Sequence, residues 1–344
     1  MNAAYYVDLA RQGLRMPIGA DLVLHEQADP ESILHDAGRL GAVVESAARR
    51  YRTPLAFPLM DLRLEKSDLL AHFGVPAADV DTFHFKEAPD EDVVFGEFLE
   101  RHKANHGAVR YIAERTDLLP VGMLIGPFSL MTKLVADPIT GVALAASGVT
   151  AAEDDAVLLV ERCLSLALAA VLRSAEAQMV AGARAIIVCE PAVNTAYLSP
   201  RQWKRDPGLL DRFVLQPNRQ LRALLKRHGV DLILHDCGDV TSDMVERLVT
   251  ELEPAVLSLG SSCRLEEIAA VVPPNVVLFG NLPTKTFYSD AAMPLEEVRR
   301  QTEALREAMR ACGHPHILGS ECDVLHVPDA AETIRRKVAV MLED

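Results

Sequence analysis

Seven short runs rich in Val, Ile and Leu alternate with segments of helical periodicity along the 344-residue chain. The runs are P-L-A-F-P-L-M-D ending at Asp61, P-V-G-M-L-I-G-P ending at Pro127 and A-I-I-V-C-E ending at Glu190. They continue with D-L-I-L-H-D-C ending at Cys237, A-V-L-S-L-G near Ser258, V-V-L-F-G-N ending at Asn281 and H-I-L-G-S-E-C ending at Cys322. Helical spacing covers residues 30–50, 90–114, 151–181, 199–228, 241–251 and 294–312. Near-continuous apolar strands separated by helices belong to a parallel sheet covered on both faces, the α/β class. Seven of them over this length predict a (β/α)8 barrel of the TIM type rather than an open doubly wound sheet. No G-x-G-x-x-G follows the first strand, which removes the main sign of a dinucleotide fold. F-H-F-K-E near Phe83 and V-R-Y-I near Val109 are the candidates for the eighth strand. A single barrel domain is expected over residues 1–344, with residues 1–50 as a helical N-terminal extension packed on it.

A formal net charge of −14 argues against a nucleic-acid partner, because phosphate backbones demand a basic face. The most apolar stretch, residues 156–187, is interrupted by Glu161, Arg162, Arg173 and Glu176, too often for a membrane span. The first residues lack the basic start and apolar core of a secretory signal. Six scattered cysteines in such a chain predict reduced thiols or a metal site rather than a disulfide framework, and a cytoplasmic location.

In a barrel the chemistry gathers at the carboxyl ends of the strands. Those ends here carry Asp61, Glu190, His235, Cys237, Asn281 and Cys322. Residues i and i+2 of a strand share a face, so His235 and Cys237 project together. A lone H-x-C is often a buried histidine beside an inert core cysteine; acid, imidazole and thiol on several strand ends together favour a site. Imidazole nitrogen and thiolate sulfur suit Zn²⁺, and catalytic zinc takes three protein ligands with one position open. Cys322, at the end of the last run, is the third candidate, since all strand ends of a barrel face one mouth. Two thiolates and a neutral imidazole leave the metal site neutral and able to deprotonate an incoming thiol.

The remaining candidates have plainer readings. Cys163 reads as helix packing, and Cys312 with Gly313 as a helix end. Cys189, next to Glu190, is expected to point outward into the core, away from the face Glu190 uses. Cys263 is a spare ligand at the mouth. His314 and His316 belong to the opposite end of the barrel, and His326 lies near the site or exposed. Asp239 reads as the cap of the helix that begins near Thr241. Glu190 is the expected acid/base, and Asp61 and Asn281 the expected substrate contacts.

Four stretches resemble a known family. They are P-L-M-D-L-R-L-E-K from Pro58, G-P-F-S-L from Gly126, E-P-A-V-N-T-A-Y-L-S-P from Glu190, and H-D-C-G-D followed by G-N-L-P and the late E-C-D. The chain is similar to the uroporphyrinogen decarboxylase superfamily, and within it to the cobalamin-linked zinc methyltransferases of the methylcobamide:coenzyme M type. That resemblance implies a (β/α) barrel holding zinc through His235, Cys237 and Cys322. It implies transfer of a methyl group between a small donor or acceptor and methylcobalamin, a corrinoid. With no D-x-H-x-x-G signature in the chain, that corrinoid would be carried by a partner protein. The haem-pathway decarboxylase branch uses R-Q-A-G-R to hold carboxylates, which Arg11-Gln12-Gly13-Leu14-Arg15 echoes only superficially. A non-catalytic zinc- or corrinoid-binding barrel is the other alternative. The chain departs from the methyltransferase pattern after the strand that follows the zinc pair, where L-G-S-S from Leu259 replaces acidic residues.

Overall fold

The structure, a computed structural model, describes residues 3–90 and 92–343. Eight strands are all paired in parallel: β1 Arg15–Ile18, β2 Leu55–Ala56, β3 Leu119–Ile125, β4 Ala185–Cys189, β5 Asp231–Asp236, β6 Val256–Leu259, β7 Val277–Leu282 and β8 His316–Asp323. Their order is β1-β8-β7-β6-β5-β4-β3-β2, so β1 and β2 stand at its two ends. Side chains from all eight strands meet in one apolar cluster, among them Met16, Leu55, Val121, Ile187, Ile233, Val256, Phe279 and Ile317. This is the packed lumen of a TIM-type barrel. Side chains span the seam between β1 and β2: Thr53 Oγ1 donates to Met16 Sδ at 3.1 Å. The alternate residues face the helices, as Ile186, Val188, Leu232 and Leu234 do in a second cluster.

The eighth strand is neither expected candidate. Phe85 makes an isolated bridge to Val135, and Val109 is buried in the helix Glu100–Arg115. R-M-P-I at Arg15–Ile18 is the missing strand, so residues 1–50 are not simply an extension. It is four residues long, contains a proline and has a ladder on one side only, the setting in which strand proline is tolerated. The helix Ala3–Arg11 precedes it and plugs Tyr6, Val7 and Leu9 against the amino-terminal end of the lumen. The P-L-A-F-P-L-M-D run yields a ladder of only two residues. Beyond it the β3 backbone is satisfied by a side chain instead: Met123 N donates to Gln178 Oε1 and Gln178 Nε2 donates to Met123 O, each at 2.8 Å.

The helices follow their caps. Residues 30–50 split into Pro30–Ile33 and Ala37–Arg50, because Asp36 accepts from Arg39 N and starts a second helix. Asp90 and residues 92–99 are not helical, residue 91 lies outside the described residues, and the helix starts at Glu100. Asp154 caps the long helix Asp155–Val180, on which Cys163 is a buried packing residue as expected. Residues 199–228 divide into Pro200–Arg205, a widened π-turn Asp211–Leu215 and Gln216–Arg227, whose Pro217 has no N–H for a regular ladder. Thr241, not Asp239, caps Ser242–Leu252; Asp239 accepts from Thr195 Oγ1 at 3.2 Å. Among the described residues no helix is long and apolar enough to cross a membrane.

Candidate metal centre

The lumen-facing series of β5 is Ile233, His235 and then Cys237, one residue past the strand. The strand period therefore places imidazole and thiol on one face at the barrel mouth, as the sequence implies. Cys322 joins them: one donor atom from each of His235, Cys237 and Cys322 lies within 4.8 Å of the other two. Strict alternation along β8 would have forbidden this. Ile317 faces the lumen and Leu318 the helices, so Cys322, of Leu318's parity, belongs outside. A bulge reverses it. Between the pairs Met16–Gly319 and Ile18–Asp323, β1 advances by two residues and β8 by four. Ser320 repairs the broken ladder by accepting from Ile18 N at 3.0 Å. Bulges re-aim side chains in this way.

His235 is 1% exposed, and its Nδ1 is 2.8 Å from Ser258 Oγ, a lumen position on β6. Its Nε2 is buried with no hydrogen-bond partner. A buried polar atom left without a partner costs about 1–3 kcal/mol, and here it sits beside two sulfurs. The three soft donors and this orphaned nitrogen fit Zn²⁺, with His235 held by its other nitrogen as metal-binding histidines commonly are. Glu190 and Cys263 are not among the converging donors, so neither closes a fourth position.

The sulfurs are electrostatically unequal. The thiol of Cys322, hydrogen-bonded to Cys237, is the main influence bringing Cys237 down to about 4; burial opposes it, and His235 and Lys285 reinforce it. Cys322 is pushed up, first by that same hydrogen bond and then by burial. Within the pair, charge is favoured on Cys237 over Cys322. Lys285, in the turn Thr284–Thr286 after β7, hydrogen-bonds Cys237. Burial works to lower Lys285, but the charges on Cys237, Cys322 and Glu321 outweigh it and raise it. Glu321 anchors that turn by accepting from Lys285 N at 3.2 Å, and it accepts from Ser261 Oγ at 2.6 Å. The acid missing from L-G-S-S is thus supplied to the same loop by β8. Gly260 backs the site: a Cβ there would lie 2.7 Å from the Cys237 carbonyl oxygen. Met60 Sδ is 4.0 Å from Cys322 Sγ. Lys285, Ser258, Glu321 and Met60 were not singled out from the sequence; the G-N-L-P-T-K stretch is the one signal that could have drawn attention to Lys285.

Glu190 lies elsewhere. Cys189 faces the lumen and Glu190 the helices, the reverse of the expected orientation. The Glu190 carboxylate accepts from Ser129 N at 2.8 Å, Phe128 N at 3.2 Å and Asn218 Nδ2 at 2.7 Å. Ser129 and Phe128 open the helix Pro127–Leu134, where an anion meets free backbone donors. Burial raises Glu190 and these hydrogen bonds pull it down; the balance is upward. Gly126 makes room: a Cβ there would fall 2.0 Å from Glu190 Cδ. G-P-F and E-P are two halves of one contact. Asn281 is buried, its Nδ2 donating to Gly260 O and Cys263 O at 2.8 Å each, so it ties down the β6 loop. Asp61 is ion-paired with Arg101 at 2.6 Å and Arg63 at 3.1 Å and lines a cavity of about 660 Å³ beside the mouth. Cys312 ends the helix Leu295–Cys312 before left-handed Gly313, as expected. His314 and His316 lie at the opposite end of the barrel, as expected, but they are partly buried rather than surface residues. His326 stacks on His25 with ring centroids 4.5 Å apart.

A sequence profile of the uroporphyrinogen decarboxylase (URO-D) family matches residues 75–339. The chain belongs to the uroporphyrinogen decarboxylase family. Among solved structures, this family member superimposes on a methyltransferase from Methanosarcina mazei with a TM-score of 0.67 and 15% identity. The match covers 99% of this chain and 98% of that one. At that identity the likeness concerns the fold. No curated protein sequence matches the chain.

Proposed function

We propose that the chain is a zinc-dependent methyltransferase that moves a methyl group between a small substrate and a corrinoid carried by a separate protein. The observation that carries this reading is the orphaned Nε2 of His235 converging with the sulfurs of Cys237 and Cys322. The shared fold of the M. mazei methyltransferase supports it. When bound there, zinc would supply a Lewis acid that keeps a thiol deprotonated at neutral pH or polarises a methyl ether or thioether.

The residues of the chain prepare that chemistry. Ser258 fixes the His235 ring, so that its Nε2 faces the two sulfurs. Their mutual hydrogen bond favours charge on Cys237 over Cys322, and metal entry would deprotonate both. The Lys285 ammonium stabilises negative charge on sulfur, and Glu321 holds it in place. Phe57 and Phe279, ring centroids 6.5 Å apart in the lumen, belong to its apolar packing, which excludes water. Both directions of transfer need the reacting atoms within roughly 3–3.5 Å and in line, which a mouth built on strand ends can provide.

The arginine pair that echoes the decarboxylase segment lies away from the site. Arg11 and Arg15 end the first helix and begin β1, at the amino-terminal end of the barrel, away from the converging donors. A non-catalytic zinc barrel would close its metal, whereas among the described residues three donors converge.

Zinc-loaded protein mixed with methylcobalamin and a panel of thiols, followed by the cobalt absorption spectrum, tests the proposal. Thiol-dependent demethylation is the expected result. Full zinc occupancy with no reaction across thiols, thioethers and ethers, with and without a corrinoid protein, would overturn it in favour of the non-catalytic barrel.

A further inference from the structure

At the end of the barrel opposite the metal centre, a cavity of about 520 Å³ opens between the end of Ala3–Arg11, the starts of β1 and β8, and the end of Leu295–Cys312. Six residues of β8 separate His316 in its wall from Cys322, roughly 20 Å at about 3.3 Å per residue. Among the described residues the wall gathers Arg11, Arg15, Arg306 and Arg310 with His314 and His316, and includes no Asp or Glu. In a chain of net charge −14 this is a local reversal of sign.

Helix ends account for part of it. Arg11 and Arg310 sit in last turns, where cations offset the helix dipole. Arg15, on a strand, and Arg306, further up its helix, have no such duty. Arg306 pairs with Glu303, an exposed residue outside the cavity wall, at 3.2 Å. Arg11 pairs with exposed Asp8 at 3.6 Å. Exposed pairs of this kind contribute about 0–1 kcal/mol and exchange partners readily. Arg310 has no ion-pair partner among the described residues. The histidines form wall rather than charge. Their Nε2 atoms meet Val276 O at 2.9 Å and Gly280 O at 2.7 Å, and burial lowers both, His316 to about 4. Every cation is arginine, whose planar fork grips phosphate oxygens two at a time, and none is lysine.

We propose that this cavity binds a small phosphorylated anion, an organic mono- or diphosphate, at a site separate from the metal centre. A volume of this size suits a small molecule. The proposal is independent of the methyl-transfer reading.

Calorimetric titration of the metal-loaded protein with inorganic pyrophosphate tests it. Saturable, salt-sensitive binding is expected. The double variant Arg306→Ala/Arg310→Ala should weaken it by about tenfold or more, since it removes charge-assisted hydrogen bonds. Arg264→Ala, at a distant pair with Glu266, should leave it unchanged. No saturable binding, or binding indifferent to the double variant while its melting temperature is unchanged, overturns the proposal. Co-sedimentation with phosphatidic acid vesicles separates a lipid-borne phosphate from a free one. Vesicle binding without pyrophosphate binding also overturns it.

Discussion

Two buried histidines show how differently the fold treats the same side chain. His102, on the helix Glu100–Arg115, has both ring nitrogens engaged: Nδ1 with Asp68, and Nε2 with Ser174 Oγ at 2.9 Å. Ser174 in turn donates to Glu65 Oε1 at 2.9 Å, and Gln178 adds to the network. His235 has only one nitrogen engaged and turns the other toward two sulfurs. An Asp–His–Ser series looks like machinery in a sequence, but here it is sealed, with Ser174 fully buried. The difference teaches that in this barrel the imidazole that meets the two sulfurs is the incompletely satisfied one. The satisfied one joins the helices Leu64–His72, Glu100–Arg115 and Asp155–Val180.

The largest effect should come from removing a sulfur. Cys237→Ser and Cys322→Ser should each reduce zinc from one per chain to near zero by elemental analysis and abolish thiol-dependent demethylation. If either variant keeps full zinc, His235 is not the metal-facing member of the comparison. Next, His102→Ala should leave zinc untouched but lower unfolding stability by about 3–5 kcal/mol, the cost of stranding a buried carboxylate. Zinc loss in that variant, measured beside denaturant melts, would erase the distinction between the two histidines. Ser258→Ala should weaken zinc by about 10–100-fold in competition with a chelator, as the loss of a supporting hydrogen bond does. Glu190→Gln should cost stability by about 1–3 kcal/mol, because an amide cannot accept at both oxygens. Its zinc content should stay at one per chain; if instead it loses metal, Glu190 acts on the site as the sequence led one to expect.

A pH slope sharpens the comparison further. His106 packs against His102 with ring centroids 4.4 Å apart, and burial brings it down to about 3. The unfolded chain therefore binds a proton below about 6.5 that the folded chain refuses until about 3. His106 thus contributes stability above pH 6.5 that is lost as pH falls toward 3. Between pH 6.5 and 4 the wild type should lose more stability than His106→Leu in urea melts; parallel curves would show that His106 is not neutral when folded.

Much of the fold was legible. Seven of eight strands stand where Val, Ile and Leu runs place them, because a strand buried on both faces has to be apolar at every position. β1 was not, since R-M-P-I is short, holds a proline and borrows its burial from neighbours. The site was legible where the reasoning was local. His235 and Cys237 converge because the strand period is two, which needs no tertiary information. That Glu190 stands apart from the converging donors was not legible, because backbone donors at the start of Pro127–Leu134, remote in sequence, claim its oxygens.

The alternation of apolar runs and helices by itself determined a barrel with imidazole and thiol on one rim, since periodicity is written residue by residue. Only the tertiary structure decided that Cys322 turns inward, because a bulge is set by the mismatch between two paired strands. It alone decided, too, which buried polar groups are satisfied and which are left free to react. A hydrogen bond depends on who arrives at the other end, and those partners come from elements scores of residues apart.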